Sequence, residues 1–230
     1  MFNWDDILIV GDSYCSSRHE PFDWPVLLLK LLTGEKVEGR IPKGEGSAGS
    51  AWWTSRSRLL NDLKIKVPKV LLLFHTEANR IPNDFGCGIN QMAVELNRLA
   101  IPKNHEFIRA DLTKASELYY KFLFSEEFHR WTQIQWFKEL DTLITELNIP
   151  HVIHFHCFHN DYVFKTGITS SEVLFKMTEK NYDNSLSEWH QFRNHMTKEE
   201  NISFANTINK EMRNSTIRSG KLFLDLLGNI

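Results

Sequence analysis

The chain has 230 residues, 42% of them hydrophobic and 24% charged, with a formal net charge of −2. That length fits one large domain or a domain carrying an insertion, and 12% aromatic residues supply ample core material. Near-neutral charge without a long block of one sign argues against a general attraction to nucleic acid or to an anionic membrane surface. The three cysteines, Cys15, Cys87 and Cys157, are odd in number and widely spaced. They match neither a disulfide framework nor a C-x-x-C zinc pattern, so a reducing compartment is expected. The start, Met1–Asp6, is acidic and lacks the basic and apolar regions of a signal peptide, which gives a cytoplasmic expectation. The longest apolar runs, Val26–Leu29 and Val70–Phe74, are too short to span a bilayer.

Ile7–Val10 reads as a short buried strand that breaks at the turn Gly11-Asp12-Ser13. Trp24 to Leu32 reads as a helix with Pro25 in its first turn and Gly34 as its stop. Lys36–Gly39 is a weak second strand. The glycine-rich loop Gly44–Ser50 leads into a helix from Trp52 to Leu60, without the phosphate-binding G-x-x-x-x-G-K-[ST] pattern. Val70–Phe74 is the clearest buried strand, and it ends in the polar cluster His75–Arg80. From about Asp111 to Asn148 the pattern is helical. Leu112 to Phe124 forms one helix, and Trp131, Ile134, Phe137, Leu140, Ile144 and Leu147 mark the apolar face of another. Such a block can cover the sheet, form a lid or pair with another subunit. Pro150–Cys157 carries a third strong strand signal, whereas Phe158 to Asn194 gives no clear pattern beyond loop and short elements. Thr197-Lys198-Glu199-Glu200 is a capping box opening a helix with Ile202, Ala205, Ile208 and Met212 on one face. Lys221 to Leu227 fits a last strand or a docking segment.

This alternation predicts a single domain over residues 1–230, with a parallel sheet covered by helices on both faces and a helical insertion at about 111–148. Ligands of open α/β sheets bind at the carboxyl ends of the strands. Those ends carry Gly11-Asp12-Ser13, the Gly44–Ser50 loop and His75–Arg80, and His195 lies just before the last helix. Acyl transfer needs such parts: a hydroxyl nucleophile, an imidazole to take its proton, N–H donors for the oxyanion and a group to orient the imidazole.

In this order the blocks resemble the SGNH or GDSL hydrolases, serine esterases with a flavodoxin-like sheet. The resemblance covers residues 7 to about 212. It implies a three-layer α/β/α sandwich of about five parallel strands. Gly11-Asp12-Ser13 matches the first block intact, which makes Ser13 the nucleophile and its N–H an oxyanion donor. Ser47-Ala48-Gly49-Ser50 matches the second block, with Gly49 as donor and Gly46 as the fallback. The third block, Gly-x-Asn-Asp, is degenerate. Read without a gap it places Glu77 at the asparagine position, and with a small insertion Asn79. Of the two, only the Asn79 amide can donate to an oxyanion, which an ionised carboxylate repels, so Asn79 is preferred; Thr76 can also supply a hydroxyl, and Asp12, Thr76 and Glu77 line the site. The fourth block, Asp-x-x-His, supplies His195 as the base, but Phe192 stands at the aspartate position. Asp183 and Glu188 are the nearest upstream acids. A Ser13–His195 dyad oriented by a backbone carbonyl is the other arrangement.

Each of these residues also has a plainer reading. Ser13 can be a helix cap and His195 a helix-entry residue. His151, His154, His156 and His159 invite a metal, but His154 and His156 share a strand face from which His151 points away, so hydrogen-bonded histidines are expected and no metal. Trp52-Trp53 fits helix packing better than a sugar platform. Cys15 fits a small buried residue rather than a nucleophile.

The expected activity is hydrolysis of carboxylic esters through an acyl-enzyme on Ser13, with no cofactor. The substrate would be a small ester or an acylated carbohydrate, for instance in O-deacetylation, and no nucleic acid or membrane is expected as a partner. The alternative is a hydrolase fold without its chemistry, acting as a binding or structural module and using the helical block for a homo-oligomer or assembly contact. The departed motifs are similar to those of hydrolase-like phage proteins, for which virion association would follow.

Overall fold

The computed structural model describes residues 2–15, 23–34, 51–83, 88–95, 107–170, 173–178 and 196–214. Four strands form one parallel sheet in chain order: β1 (Ile7–Gly11), β2 (Val70–His75), β3 (His151–His156) and the short β4 (Ile168–Thr169). Ile7 pairs with Val70, Val70 with His151, and Ile153 with Ile168. β1 and β2 are buried along their whole length, because helices cover both faces of the sheet. The expected sheet had about five strands. Four lie among the described residues, and the expected strand at Lys36–Gly39 falls outside them, as does Lys221 to Leu227.

The helices are α1 (Trp24–Thr33), α2 (Trp52–Ile65), α3 (Gln91–Glu95), α4 (Arg109–Phe122), α5 (Glu126–Glu146), α6 (Leu174–Thr178) and α7 (Lys198–Asn214). On one face of the sheet, Ile9, Leu72, Phe74 and Phe155 pack with Leu28 and Leu29 of α1 and Phe204 and Ile208 of α7. On the other face, Val10, Leu71, Leu73 and Val152 pack with Leu59 and Leu63 of α2 and Trp136, Phe137 and Leu140 of α5. The result is a three-layer α/β/α sandwich.

Local chemistry accounts for the helix ends. Pro25 sits in the first turn of α1, and Gly34 closes it in the left-handed conformation, φ 72°, with its N–H donating to Lys30 O. The capping box opens α7 as expected: Thr197 N–H donates to Glu200 Oε2 at 2.8 Å, and Glu200 N–H donates to Thr197 Oγ1 at 3.2 Å. Asn201 adds a second tie, accepting from the N–H of Trp24 at 2.9 Å while its amide donates to Met196 O at 3.0 Å. The starts of α1 and α7 are therefore fastened together.

Two helix faces differ from the sequence reading. The inward face of α5 is Gln133, Trp136, Phe137, Leu140, Asp141 and Ile144, whereas Trp131 is 57% exposed. At 100° per residue Trp131 falls on the side opposite that face. In α7 Ala205, Ile208 and Met212 are buried as expected, but Ile202 turns outward and Phe204 takes its place in the core, where its ring meets Trp24 and Phe155. The helical block also divides. α5 forms a layer of the sandwich, while α4 packs with α3 through Leu112, Tyr120, Ile89 and Val94.

Gly11 ends β1 at φ 149°, where a side chain is strained, and a Cβ there would collide with Phe74 O and Cβ. Gly11→Ala is expected to cost about 2–4 kcal/mol, from backbone strain plus overpacking. Urea unfolding checks it, the expected result being a lower midpoint with an unchanged slope.

Candidate active site

The turn after β1 is set by its contact with β2. Asp12 N–H donates to Phe74 O at 3.1 Å, which carries the ladder one residue past Gly11. Ser13–Cys15 then form a single 3-10 turn. Ser13 is partly exposed, Tyr14 and Cys15 are buried, and the Cys15 thiol donates to Asp12 O at 3.0 Å.

Asp12 is fully buried. A buried carboxylate must be paired and hydrogen-bonded, and its partners come from the end of β2. Thr76 Oγ1 donates to Asp12 Oδ2 at 2.7 Å, and Arg80 Nη1 donates to Asp12 Oδ1 at 3.1 Å. The Arg80 Nε–H donates to Glu77 Oε1 at 2.7 Å, and Asn90 Nδ2 donates to the same oxygen at 3.2 Å. Burial disfavours the Arg80 charge, but the Asp12 and Glu77 carboxylates outweigh it and hold the guanidinium firmly protonated. The guanidinium also lies 5.2 Å from the centre of the Phe158 ring. Below this network the Cys157 thiol is pushed up by burial and by Asp12, so it is an inert core group.

Of the sequence-predicted site residues, the structure brings Asp12, Ser13, Thr76 and Glu77 into one hydrogen-bonded cluster. Glu77 serves Arg80. Ser13 N–H, the expected oxyanion donor, donates to Asp12 Oδ1. Asn79 lies in the turn after β2. Its backbone carbonyl accepts from Tyr120 Oη at 2.8 Å, and its side-chain Oδ1 is buried without a partner. His195, Asp183, Glu188, Gly49 and Gly46 lie outside the described residues. The segment that His195 precedes, Met196–Thr197, is fastened to Trp24 through Asn201, and the Trp24 indole N–H donates to Tyr14 O at 2.8 Å, one residue from Ser13.

Arg80 is the residue that sequence reading missed. The available signal was indirect. An acid inside a turn between two buried strands needs a cation, and Arg80 is the only one in the cluster that follows β2.

On the α2/α5 side of the same strand ends, a narrow cavity of about 20 Å³, room for about one water, is lined by Gly11, Thr76, Trp52, Ser55, Arg56 and Trp136, among others. Arg56 pairs with Glu139 at 2.7 Å and lies over both Trp53 and Trp136, about 5 Å from each ring centre. Ser55 Oγ is buried there without a partner. Deeper on that face, His75 Nε2 and His154 Nδ1 lie 3.0 Å apart, and His154 stacks on Phe164 with centroids 3.6 Å apart. His156 Nε2 lies 3.1 Å from Tyr162 O. Burial holds all three imidazoles neutral, and neighbouring histidines add to the effect for His75 and His154. Among the described residues no cluster of histidine, cysteine or carboxylate groups fits a metal ion, and no helix is long and apolar enough to cross a membrane. Comparison with protein-family models, curated proteins and solved structures finds no significant match to this chain.

Proposed function

We propose that the protein is a serine hydrolase that cleaves carboxylic esters through an acyl-enzyme on Ser13. The observation that carries this reading is the placement of Ser13. It is a partly exposed hydroxyl residue at the carboxyl end of β1, on a turn anchored to β2 by the Asp12–Arg80 pair. Ser13 Oγ attacks the ester carbonyl carbon while His195 takes its proton. The tetrahedral oxyanion collapses and expels the alcohol, which receives that proton. Water then repeats the sequence and releases the carboxylic acid. Gly49 N–H and the Asn79 amide are the oxyanion donors of this reading, joined by Ser13 N–H once it turns from Asp12. Asp183, Glu188 or a backbone carbonyl orients His195. The tie from Met196 through Asn201 to Trp24, and from Trp24 to Tyr14, supports His195 as the base. Half-exposed Trp53, at the start of α2, offers a ring face that suits a carbohydrate, and a small acyl group on a carbohydrate alcohol is the substrate of this reading.

A second reading has one observation in its favour. Ser13 N–H is engaged by a carboxylate, which suits a hydrolase fold that has become a binding module. A fluorophosphonate probe separates the two. Wild-type protein is expected to be labelled at Ser13 and to turn over p-nitrophenyl acetate, Ser13→Ala to lose both, and His195→Ala to lose at least about 10³-fold in turnover. Folded wild-type protein that is neither labelled nor active would leave the binding-module reading.

A further inference from the structure

We propose that α4 is a dimerisation helix that pairs antiparallel with α4 of a second copy of this chain, about a two-fold axis passing between Leu112 and Thr113. The buried side of α4 carries Ser116, against the α3 side of the molecule. The opposite side presents Phe107, Asp111, Lys114 and Leu118, of which Phe107 is 80% exposed and Leu118 50% exposed. Their spacing is four, three, four, the seam of an antiparallel coiled coil, and Phe122 flanks its end at 67% exposure. Phe107 lies in the 3-10 turn leading into the helix, so it keeps nearly the same line.

A two-fold contact must be self-complementary: if residue i meets j, then j meets i. The seam satisfies this in chemistry as well as in spacing. With the axis between Leu112 and Thr113, Phe107 meets Leu118 of the other copy and Asp111 meets Lys114. The Asp–Lys pair then forms twice, once on each side of the axis. The competing register sets Phe107 against Phe122. It would put Asp111 on Leu118, leaving a carboxylate against an apolar partner, which is costly. Charge complementarity therefore selects both the occupant and the register. A polar pair inside an apolar seam commonly fixes register at some cost in affinity.

The exposed area agrees with a second copy as the occupant. Besides the seam, Leu123, Phe128 and Trp131 at the α4–α5 turn are 73%, 58% and 57% exposed, and Phe128 stacks on Trp131. Aromatic side chains offer about 150–250 Å² each, so these residues leave several hundred Å² of apolar surface. That is comparable with the largest apolar patch of a typical monomer, which is often functional, and below a large obligate interface. Area does not set affinity, and the dimer tested for is a weak one, with a dissociation constant of about 1–100 µM.

Sedimentation equilibrium of the full chain from about 1 to 200 µM tests the proposal across that range. The wild type is expected to dimerise, and Leu118→Glu to weaken it at least about 30-fold. Asp111→Lys alone, which sets like charges across the axis, is expected to weaken it at least about tenfold. The exchange Asp111→Lys with Lys114→Asp should restore the dimer, because it rebuilds the same two pairs reversed. Thermal unfolding of each variant, monitored in parallel, distinguishes a lost contact from a misfolded chain. A wild type that stays monomeric at 200 µM overturns the proposal, as does a dimer indifferent to Leu118→Glu. A dimer weakened by Asp111→Lys but unrestored by the exchange overturns the register. Esterase activity plays no part in these readings.

Discussion

Arg80→Met is expected to cost about 3–5 kcal/mol of folding stability, the usual loss when one member of a buried ion pair is removed. The guanidinium is 7% exposed by residue, and the Asp12 it faces is fully buried. Methionine keeps much of the length and the contact with Phe158 but supplies neither charge nor N–H. Asp12 then retains Thr76 Oγ1 and Ser13 N–H, and Glu77 retains Asn90. Two carboxylates near one another lose their common cation. A partial rescue distinguishes this account from simple loss of packing. Asp12→Asn in the Arg80→Met background removes the uncompensated charge while keeping an acceptor for Thr76. The double variant should therefore be more stable than Arg80→Met alone, a coupling of about 1 kcal/mol or more. Urea unfolding of the four proteins in the cycle measures it. Additive losses would mean that Asp12 and Arg80 act independently.

Acid should weaken the fold well above the pH at which carboxylates titrate. His75, His154 and His156 are held neutral by burial among Phe137, Tyr162 and Phe164, with their pKa values below the ordinary histidine value. The unfolded chain binds protons near pH 6.5 and the folded chain only lower, so stability is full above about 6.5 and falls as pH drops below it. Each such histidine contributes up to about 1.4 kcal/mol per pH unit in that window. Three together make a loss of up to about 4 kcal/mol between pH 7.5 and 5.5. The charged groups near the cluster are Asp141, which is occupied by Tyr162, Lys165 and Thr166, and the exposed His159–Asp161 pair. Urea midpoints across this range measure the slope, and His154→Gln should reduce it by about a third. A flat profile from pH 7.5 to 5.5 would show that these histidines ionise as readily in the fold as in the unfolded chain.

The elements most legible in the sequence were those whose cause is local. Val70–Phe74 is apolar throughout because it is covered on both sides, and Pro25 with Gly34 brackets α1 by backbone conformation alone. The capping box at Thr197 was readable for the same reason. β4 was not, since two residues, Ile168 and Thr169, carry no periodicity and are strand only by pairing with Ile153 and His154. The outward side of Trp131 is not legible from its ring, because Gln133 and Asp141 hold the inward positions through hydrogen bonds to Thr76 O and to the 162–166 loop. At the site, Gly11-Asp12-Ser13 stood out by itself. Arg80 and the facing of His75 toward His154 did not, because both follow from the β1–β2 and β2–β3 registers. His154 and His156 on one face needed only strand alternation and were legible.

The order of the sheet has a consequence for how the chain reaches this structure. β2 and β3 are neighbours, yet everything from Thr76 to Pro150 lies between them. Parallel strands cannot be closed by a tight hairpin, so loop-closure entropy must be met before the pairing returns any contacts. In a chain made from its N-terminus, Val70–Phe74 emerges with only β1 to pair with and waits through the whole α3–α5 segment for its other edge. α4 and α5 form from local contacts in the meantime, and α5 then supplies the apolar face that shields Leu71 and Leu73. The stage most exposed to aggregation is therefore this interval, when β2, apolar from Val70 to Phe74, has one open edge.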